Sequence, residues 1–192
     1  MADPANECFA LRREDGSLTG EIKLRALVHR DGDLHGASHV FLARLRGERA
    51  ELLLQKRSAQ KDSFPGLYDI SAAGHLDPGE DFAARRELAE ELGVTGKEPE
   101  FLFAQRNEYH GAFHGKPFHD NEIAGVYLLV LDRPEAAFTP EACEVESVHW
   151  FSVREILRAM RENDPRFCLR EAEFCRLLPY LAQKFGIPVD KL

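Results

Sequence analysis

Two apolar runs, His39 to Leu45 and Glu51 to Gln55, flank a break at Gly47 and predict a β-hairpin. Ahead of them, Cys8 to Arg13 reads as a first strand that turns at Glu14-Asp15-Gly16. From Glu21 to His29, Ile22, Leu24, Ala26 and Val28 alternate with polar residues, a strand pattern with a short helix as the alternative. Tyr68 to Ala73 predicts another short strand. Phe101 to Gln105 and Ile123 to Leu131 predict two more, separated by a Gly- and His-rich loop from Asn107 to Asn121. Glu144 to Phe151 is the last strand, followed by a helix from Ser152 to about Arg161. A C-terminal helix covers Phe167 to Phe185, with Leu169, Phe174, Leu177, Leu178 and Leu181 as its apolar stripe and Pro179 as a kink or restart. Strands running into a helix, then more strands and closing helices, predict an α+β fold class, an α/β/α sandwich. No repeat or low-complexity linker divides the chain. Residues 1–192 therefore read as a single domain with an N-terminal strand or hairpin and a C-terminal helical extension.

The remaining helical stretch has a different character. Gly74 to Val94, GHLDPGEDFAARRELAEELGV, opens on the turn Asp77-Pro78-Gly79, passes Glu80, and stops at Gly93. At about 100° per residue, Phe82, Ala84, Leu88, Ala89 and Leu92 share an apolar arc, and Glu87, Glu90 and Glu91 face the other way. Like charges three and four residues apart destabilise a helix by roughly 0.2–0.5 kcal/mol per pair. That face calls for a cation. Arg86 offsets part of the repulsion; a divalent ion offsets more, and hard oxygen ligands suit Mg²⁺ or Mn²⁺. A solvated acidic face is the alternative reading.

Composition narrows the partners. The 192 residues are 44% hydrophobic and 30% charged, and the net charge is −8. That is enough chain for a real core and too acidic a balance for sequence-independent binding to nucleic-acid polymers or anionic membranes. No apolar run approaches the length of a membrane span, and Met1-Ala2-Asp3-Pro4 opens nothing like a signal peptide. Cys8, Cys143, Cys168 and Cys175 lack C-x-x-C spacing and read as reduced thiols of a cytoplasmic protein.

Gly74 to Val94 resembles the Nudix box, the signature of the Nudix hydrolase superfamily, whose pattern is G-x5-E-x7-R-E-U-x-E-E-x-G-U with U aliphatic. Gly74 and Glu80 fit the first half, and Arg86-Glu87-Leu88-Ala89-Glu90-Glu91-Leu92-Gly93-Val94 fits every specified position of the second. Five residues separate Glu80 from Arg86 where the pattern has seven, so the shortening falls at the helix entry. The resemblance implies a Nudix fold with a mixed β-sheet between helices. It also implies a metal held by Glu87, Glu90, Glu91 and the Gly74 carbonyl, with Glu80 orienting the helix entry or a metal-bound water.

Further strings, LVHRDGDLHGASHVFL, LLLQKRSAQKDSFPGLYDISAAGHL and DNEIAGVYL, resemble the isopentenyl-diphosphate isomerase branch of that superfamily. By that resemblance, His29, His35, His75, Asp120 and Glu122 form a second metal site, and Arg25, Arg57 and Lys61 join Arg86 in gripping substrate phosphate. The isomerase also uses a cysteine just before its Gly-His pair. Ala73 stands there, and a methyl group cannot shuttle a proton.

The expected activity is therefore Mg²⁺- or Mn²⁺-dependent hydrolysis of a small diphosphate compound, either a nucleoside diphosphate derivative or a prenyl-type diphosphate. Glu87 and Glu91 serve the metal chemistry, and Glu122 or Glu144 is the base. Isopentenyl-diphosphate isomerase and a non-catalytic ligand sensor are the competing readings. Phe64, Tyr68, Tyr109, Phe113 and Phe118 are available to stack on a substrate base, and His110, His114, Lys116 and His119 stand on a loop long enough to act as a lid. The partner is a small molecule; a homodimer is compatible with the sequence.

Overall fold

The computed structural model describes residues 6–81 and 83–192. Phe82 and Met1 to Pro4, which carried parts of the apolar-arc and leader readings, lie outside the described residues. Strands β1 (Cys8–Arg12) and β2 (Leu18–Leu24) pair as an antiparallel hairpin. Helix α1 (Arg25–Asp31) follows, so the alternating segment 21–29 is strand in its first half and helix in its second. Gly32 at φ 74° closes α1 in the left-handed region, where a glycine carries no Cβ penalty.

A seven-stranded sheet forms the centre, with order β5-β4-β3-β8-β7; β6 pairs with β3 and β9 with β4. Its members are β3 (His35–Arg46), β4 (Arg49–Arg57), β5 (Tyr68–Asp69), β6 (Ala72–His75), β7 (Glu100–Phe113), β8 (Lys116–Val130) and β9 (Val145–Ser152). The β3–β4 hairpin stands where the two apolar runs placed it. Strands β3 and β8 are parallel and the other pairs antiparallel, so the sheet is mixed.

The predicted loop from Asn107 to Asn121 is instead the outer half of a long β7–β8 hairpin, paired from Asn107↔Glu122 out to Phe113↔Lys116. His114 and Gly115, both at positive φ, make the tight turn between its arms. Glycine and histidine hid the alternation of Asn107, Tyr109 and Phe113, whose side chains turn inward from the hairpin.

Helix α2 (Ala84–Leu92) covers one face of the sheet; α3 (Val153–Arg161) and α4 (Glu171–Phe185) cover the other. Successive side chains of a strand point to opposite faces. Hence Val40 and Leu42 pack with Leu88 and Leu92, while Phe41 and Ala43 pack with Phe174, Leu177 and Leu181. Both faces are covered, which is why the central strands read as unbroken apolar runs.

Ser152 caps α3 through a reciprocal capping box with Glu155. Helix α4 starts at Glu171 rather than Phe167, because the preceding residues stay extended and bridge Tyr68 through Phe167. Pro179 lies inside α4, which continues through it to Phe185. Among the described residues, no helix is long and apolar enough to cross a membrane.

A candidate metal and phosphate site

The parallel β3–β8 pair sets the site, because its register puts His35 beside Glu122 at one end of the sheet. Strand β6 pairs with β3 there and brings Gly74 and His75, while α1 brings His29. A cleft of about 760 Å³ opens at this end.

Helix α2 lies along one wall of the cleft. Glu87 and Glu91 are buried and Glu90 is exposed, so the three carboxylates divide. Glu91 Oε2 accepts from Gln55 Nε2 at 2.9 Å and from the Ala73 N–H at 3.0 Å. A Cβ on Gly74 would lie 2.0 Å from Glu87 Oε1, so only glycine lets the β6 backbone approach this carboxylate. Burial first, and then the Glu91 charge, push Glu87 up to about 8; burial pushes Glu91 up to about 7 although Lys61 opposes it. Two buried carboxylates held in this way fit a divalent cation, which would repay their desolvation.

Arg86 binds the entry together. Its guanidinium reaches Glu87 Oε1 at 2.8 Å, Glu80 Oε2 at 3.0 Å, Glu90 Oε2 at 3.1 Å and the His75 carbonyl at 2.9 Å. Glu80 also accepts from the Asp77 N–H at 3.1 Å. The shortened helix entry thus keeps Glu80 on the box, tied to it through Arg86.

Beside the cleft, which His75 and Asp120 line, His29, His35, His75 and Asp120 each present a ligand atom, all within 4.8 Å of one another. His35 Nδ1 donates to the Asp33 carbonyl at 2.9 Å, which leaves the lone pair on Nε2. His35 Nε2 and Asp120 Oδ1 are buried without a hydrogen-bond partner among the described residues. Burial, with His35, Arg25 and His29 nearby, holds His75 well below the usual histidine range, hence neutral. Phe9 stacks on His35 and His75 at 5.0 and 4.3 Å between ring centroids. Three imidazoles and one carboxylate with their ligand atoms this close fit a divalent transition ion.

The fifth residue expected in this set, Glu122, goes elsewhere. Its Oε1 lies 3.1 Å from His39 Nε2, 3.0 Å from Asn107 Nδ2 and 3.3 Å from Arg170 Nη2. His39 Nδ1 in turn meets Glu173 Oε2 at 2.8 Å. Burial opposes ionisation of Glu122, but Arg170 and His39 outweigh it and hold the group well below the usual carboxylate range.

The expected phosphate-binding cations all line the cleft, each with a carboxylate at hand. Arg25 Nη1 pairs with Glu7 at 2.7 Å, Arg57 Nη1 with Asp69 at 3.3 Å, and Lys61 with Glu144. Phe64, Tyr109 and Phe118 also line it. Phe113 packs on all three rings, and Tyr68 packs away from them against Phe151 and Phe167. Of the proposed lid residues, His110 and His119 pack ring to ring in a tilted arrangement and His110 pairs with Glu108, all on the hairpin.

Ala73 lines the cleft opposite His39 in the β3–β6 register. Cys143 and Cys168 line it too. Cys168 Sγ donates to the Tyr68 carbonyl at 3.3 Å, and burial followed by Asp69 raises its thiol. Burial and a hydrogen bond to Glu141 raise Cys143. Neither thiol is poised to exchange a proton near neutral pH.

Sequence reasoning missed His39, Asn107, Arg170 and Glu173. Two of them carry a legible signal: His39 opens an otherwise apolar run, and Glu173 stands four and eight residues before Leu177 and Leu181 on the buried stripe of α4.

Paired acids on a loop-bound helix thus stand against a cation-lined cleft in an α/β/α fold. The chain belongs to the Nudix family: residues 35–171 match the NUDIX domain. It is 39% identical over 196 aligned positions to Nudix hydrolase 3 of Arabidopsis thaliana, a match covering 97% of this chain but 25% of that protein. The chain thus spans about a quarter of that relative's length. It is 33% identical to the isopentenyl-diphosphate Delta-isomerase of Ruegeria pomeroyi over 80% of this chain and 81% of that one. Among solved structures, a Deinococcus radiodurans protein superposes with a TM-score of 0.60 at 20% identity, covering 81% of this chain and 90% of its own.

Proposed function

We propose that this Nudix enzyme is a metal-dependent pyrophosphohydrolase of a small diphosphate compound, with Mg²⁺ or Mn²⁺ as the ion. The observation that carries the reading is the buried Glu87–Glu91 pair against Gly74, facing cleft walls that carry Arg25, Arg57, Lys61 and Arg86. A divalent ion held by Glu87, Glu91 and the Gly74 carbonyl, with Glu90 and Glu80 behind Arg86, would neutralise phosphoryl oxygens and acidify a bound water.

The rest falls to the side chains. Arg57 and Lys61 hold the diphosphate, Arg57 by a guanidinium that Ser63 fixes through its carbonyl and hydroxyl at 3.1 and 3.2 Å. Glu144 takes the proton of the attacking water once substrate phosphate draws Lys61 away from it. Glu122, with three donors on one oxygen, is a poor proton acceptor and serves as an anchor. His29, His35, His75 and Asp120 form a second divalent site. Phe64, Tyr109 and Phe118 receive the group attached to the diphosphate.

The isomerase relative supports a second reading, interconversion of isopentenyl and dimethylallyl diphosphate. Ala73 and the raised thiols of Cys143 and Cys168 oppose it.

The purified chain with Mg²⁺ or Mn²⁺ should release monophosphate or phosphate from at least one of nucleotide sugars, dinucleotides, nucleoside di- and triphosphates or prenyl diphosphates. That release should vanish in Glu87→Gln. No turnover across the panel with tight ligand binding would convert the reading to a sensor, and isomer interconversion would convert it to the isomerase.

Gly74→Ala offers a local check. The clash falls on the far end of a flexible side chain, so the fold survives while Glu87 swings out of place. The melting temperature should stay within a few degrees of wild type and kcat should fall about 10²-fold; unchanged kcat would remove Gly74 from the site.

A further inference from the structure

Residue 170 stands at the border of the family-matched span, which ends at 171, and α4 extends beyond it. Arg170 is the N-cap position of α4 and lines the cleft. Its Nη2 alone meets both carboxylates, Asp120 Oδ2 at 3.2 Å and Glu122 Oε1 at 3.3 Å. Nη1 and Nε make no hydrogen bond among the described residues, and neither is a buried orphan. Nη2 is therefore pinned while the donors on Nη1 and Nε stay available. Asp120 meanwhile divides its oxygens: Oδ1 faces His35 at 3.5 Å and His29 at 4.0 Å, and Oδ2 faces Arg170.

Behind Arg170 stands a chain of buried groups with no other evident task. Glu173, 1% exposed, holds His39, which is 2% exposed; His39 holds Glu122, and Asn107 Nδ2 bridges Glu122 and Glu173 at 3.0 and 3.1 Å. Each link fixes the next, and the last fixes a guanidinium that lines the cleft beside Asp120. With Nη2 held by the carboxylates, Nη1 and Nε remain on different edges of the plane, each able to donate singly to a phosphoryl oxygen, whereas an ammonium is a single point charge.

We propose that Arg170 is an anion anchor for the substrate diphosphate, and that Glu173 and His39 are positioning residues acting on it through Glu122. This rests on the pyrophosphohydrolase reading for the identity of the ligand. It adds the N-cap residue of the C-terminal helix to the cations named above.

The test is calorimetric binding of inorganic diphosphate in the presence of Mn²⁺, with bound metal and melting temperature recorded for each variant. Arg170→Lys keeps the charge but loses the fork and should bind diphosphate about 10-fold more weakly. Arg170→Gln should lose about 30-fold or more. Glu173→Gln should weaken binding about fivefold in the wild-type background and add nothing in the Arg170→Lys background, because its effect passes through that residue. Metal content should be unchanged throughout. If Arg170→Gln fails to fold, Arg170→Lys and Glu173→Gln carry the decision. Wild-type binding by Arg170→Lys, additive loss in the double variant, or no diphosphate binding by wild type would overturn the proposal. Turnover of the substrate panel tests the hydrolase reading separately: a chain that binds diphosphate through Arg170 but hydrolyses nothing keeps the anchor and loses the activity.

Discussion

Glu91→Gln should lower metal-dependent turnover by about 10²–10³-fold and leave the metal-free protein as stable as before, or more so. The two halves of this result have one cause. Glu91 is 4% exposed and faces Glu87, so its charge is costly in the folded chain without a counter-ion. An isosteric amide removes that cost and still offers an oxygen to the Ala73 N–H, but it removes the anionic ligand as well. The sign with pH follows. The folded-state values of Glu87 and Glu91, about 8 and about 7, lie above the ordinary carboxylate value of 4.5. Their contribution is therefore fully present below about 4.5 and is lost as pH rises through 7 to 8. In EDTA the wild-type melting temperature should fall between about pH 6 and pH 8.5. The fall should be shallower in Glu91→Gln, and saturating Mn²⁺ should abolish it in wild type. Equal slopes in the two proteins, or turnover within a factor of a few of wild type, would show that Glu91 is only a packed helix residue.

What the chain discloses by itself divides along physical lines. Spacing of three and four residues puts Glu87 and Glu91 on one helix face whatever surrounds it, so that half of the site is readable from Gly74 to Val94. Spacing says nothing about depth: Glu90 shares the face but lies out in solvent beside Arg86. The sheet needs more. Apolar runs on either side of Gly47 find β3 and β4, yet the parallel register that sets His35 beside Glu122 joins residues 87 positions apart, and no local pattern encodes it. The outer β7–β8 hairpin was hidden by its glycines and histidines, which score as loop even when every residue from 107 to 113 is paired. Glu122 shows the limit of residue-by-residue transfer. Its type and position fit a metal ligand, but His39, Asn107 and Arg170 claim its Oε1.

His39→Ala should destabilise the protein by about 3–5 kcal/mol, because it takes the shared imidazolium from two carboxylates about as buried as the core and leaves Glu173 with only the neutral Asn107 amide as a hydrogen-bond donor among the described residues. Glu122 and Glu173 are 2% and 1% exposed, and both ring nitrogens of His39 lie within hydrogen-bond reach of their oxygens. With acceptors on both sides, the ring carries both protons. Burial pulls its pKa down, but Glu173 and Glu122 outweigh that and lift it to about 10. Since this exceeds the ordinary value of 6.5, His39's contribution is fully present below pH 6.5 and is lost as pH rises through about 10. Glu122 and Glu173 are shifted the other way, so theirs is present above about 4.5 and lost as pH falls through their folded values. The network is therefore strongest between about pH 4.5 and 6.5. Urea denaturation across pH should show wild-type stability declining on the alkaline side, with that limb flattened in His39→Ala. Glu173→Gln, which keeps an acceptor for Nδ1, should cost less than half as much. A loss below about 1 kcal/mol in His39→Ala, with the alkaline decline intact, would mean that water reaches this network and that α4 is held by its leucine stripe alone.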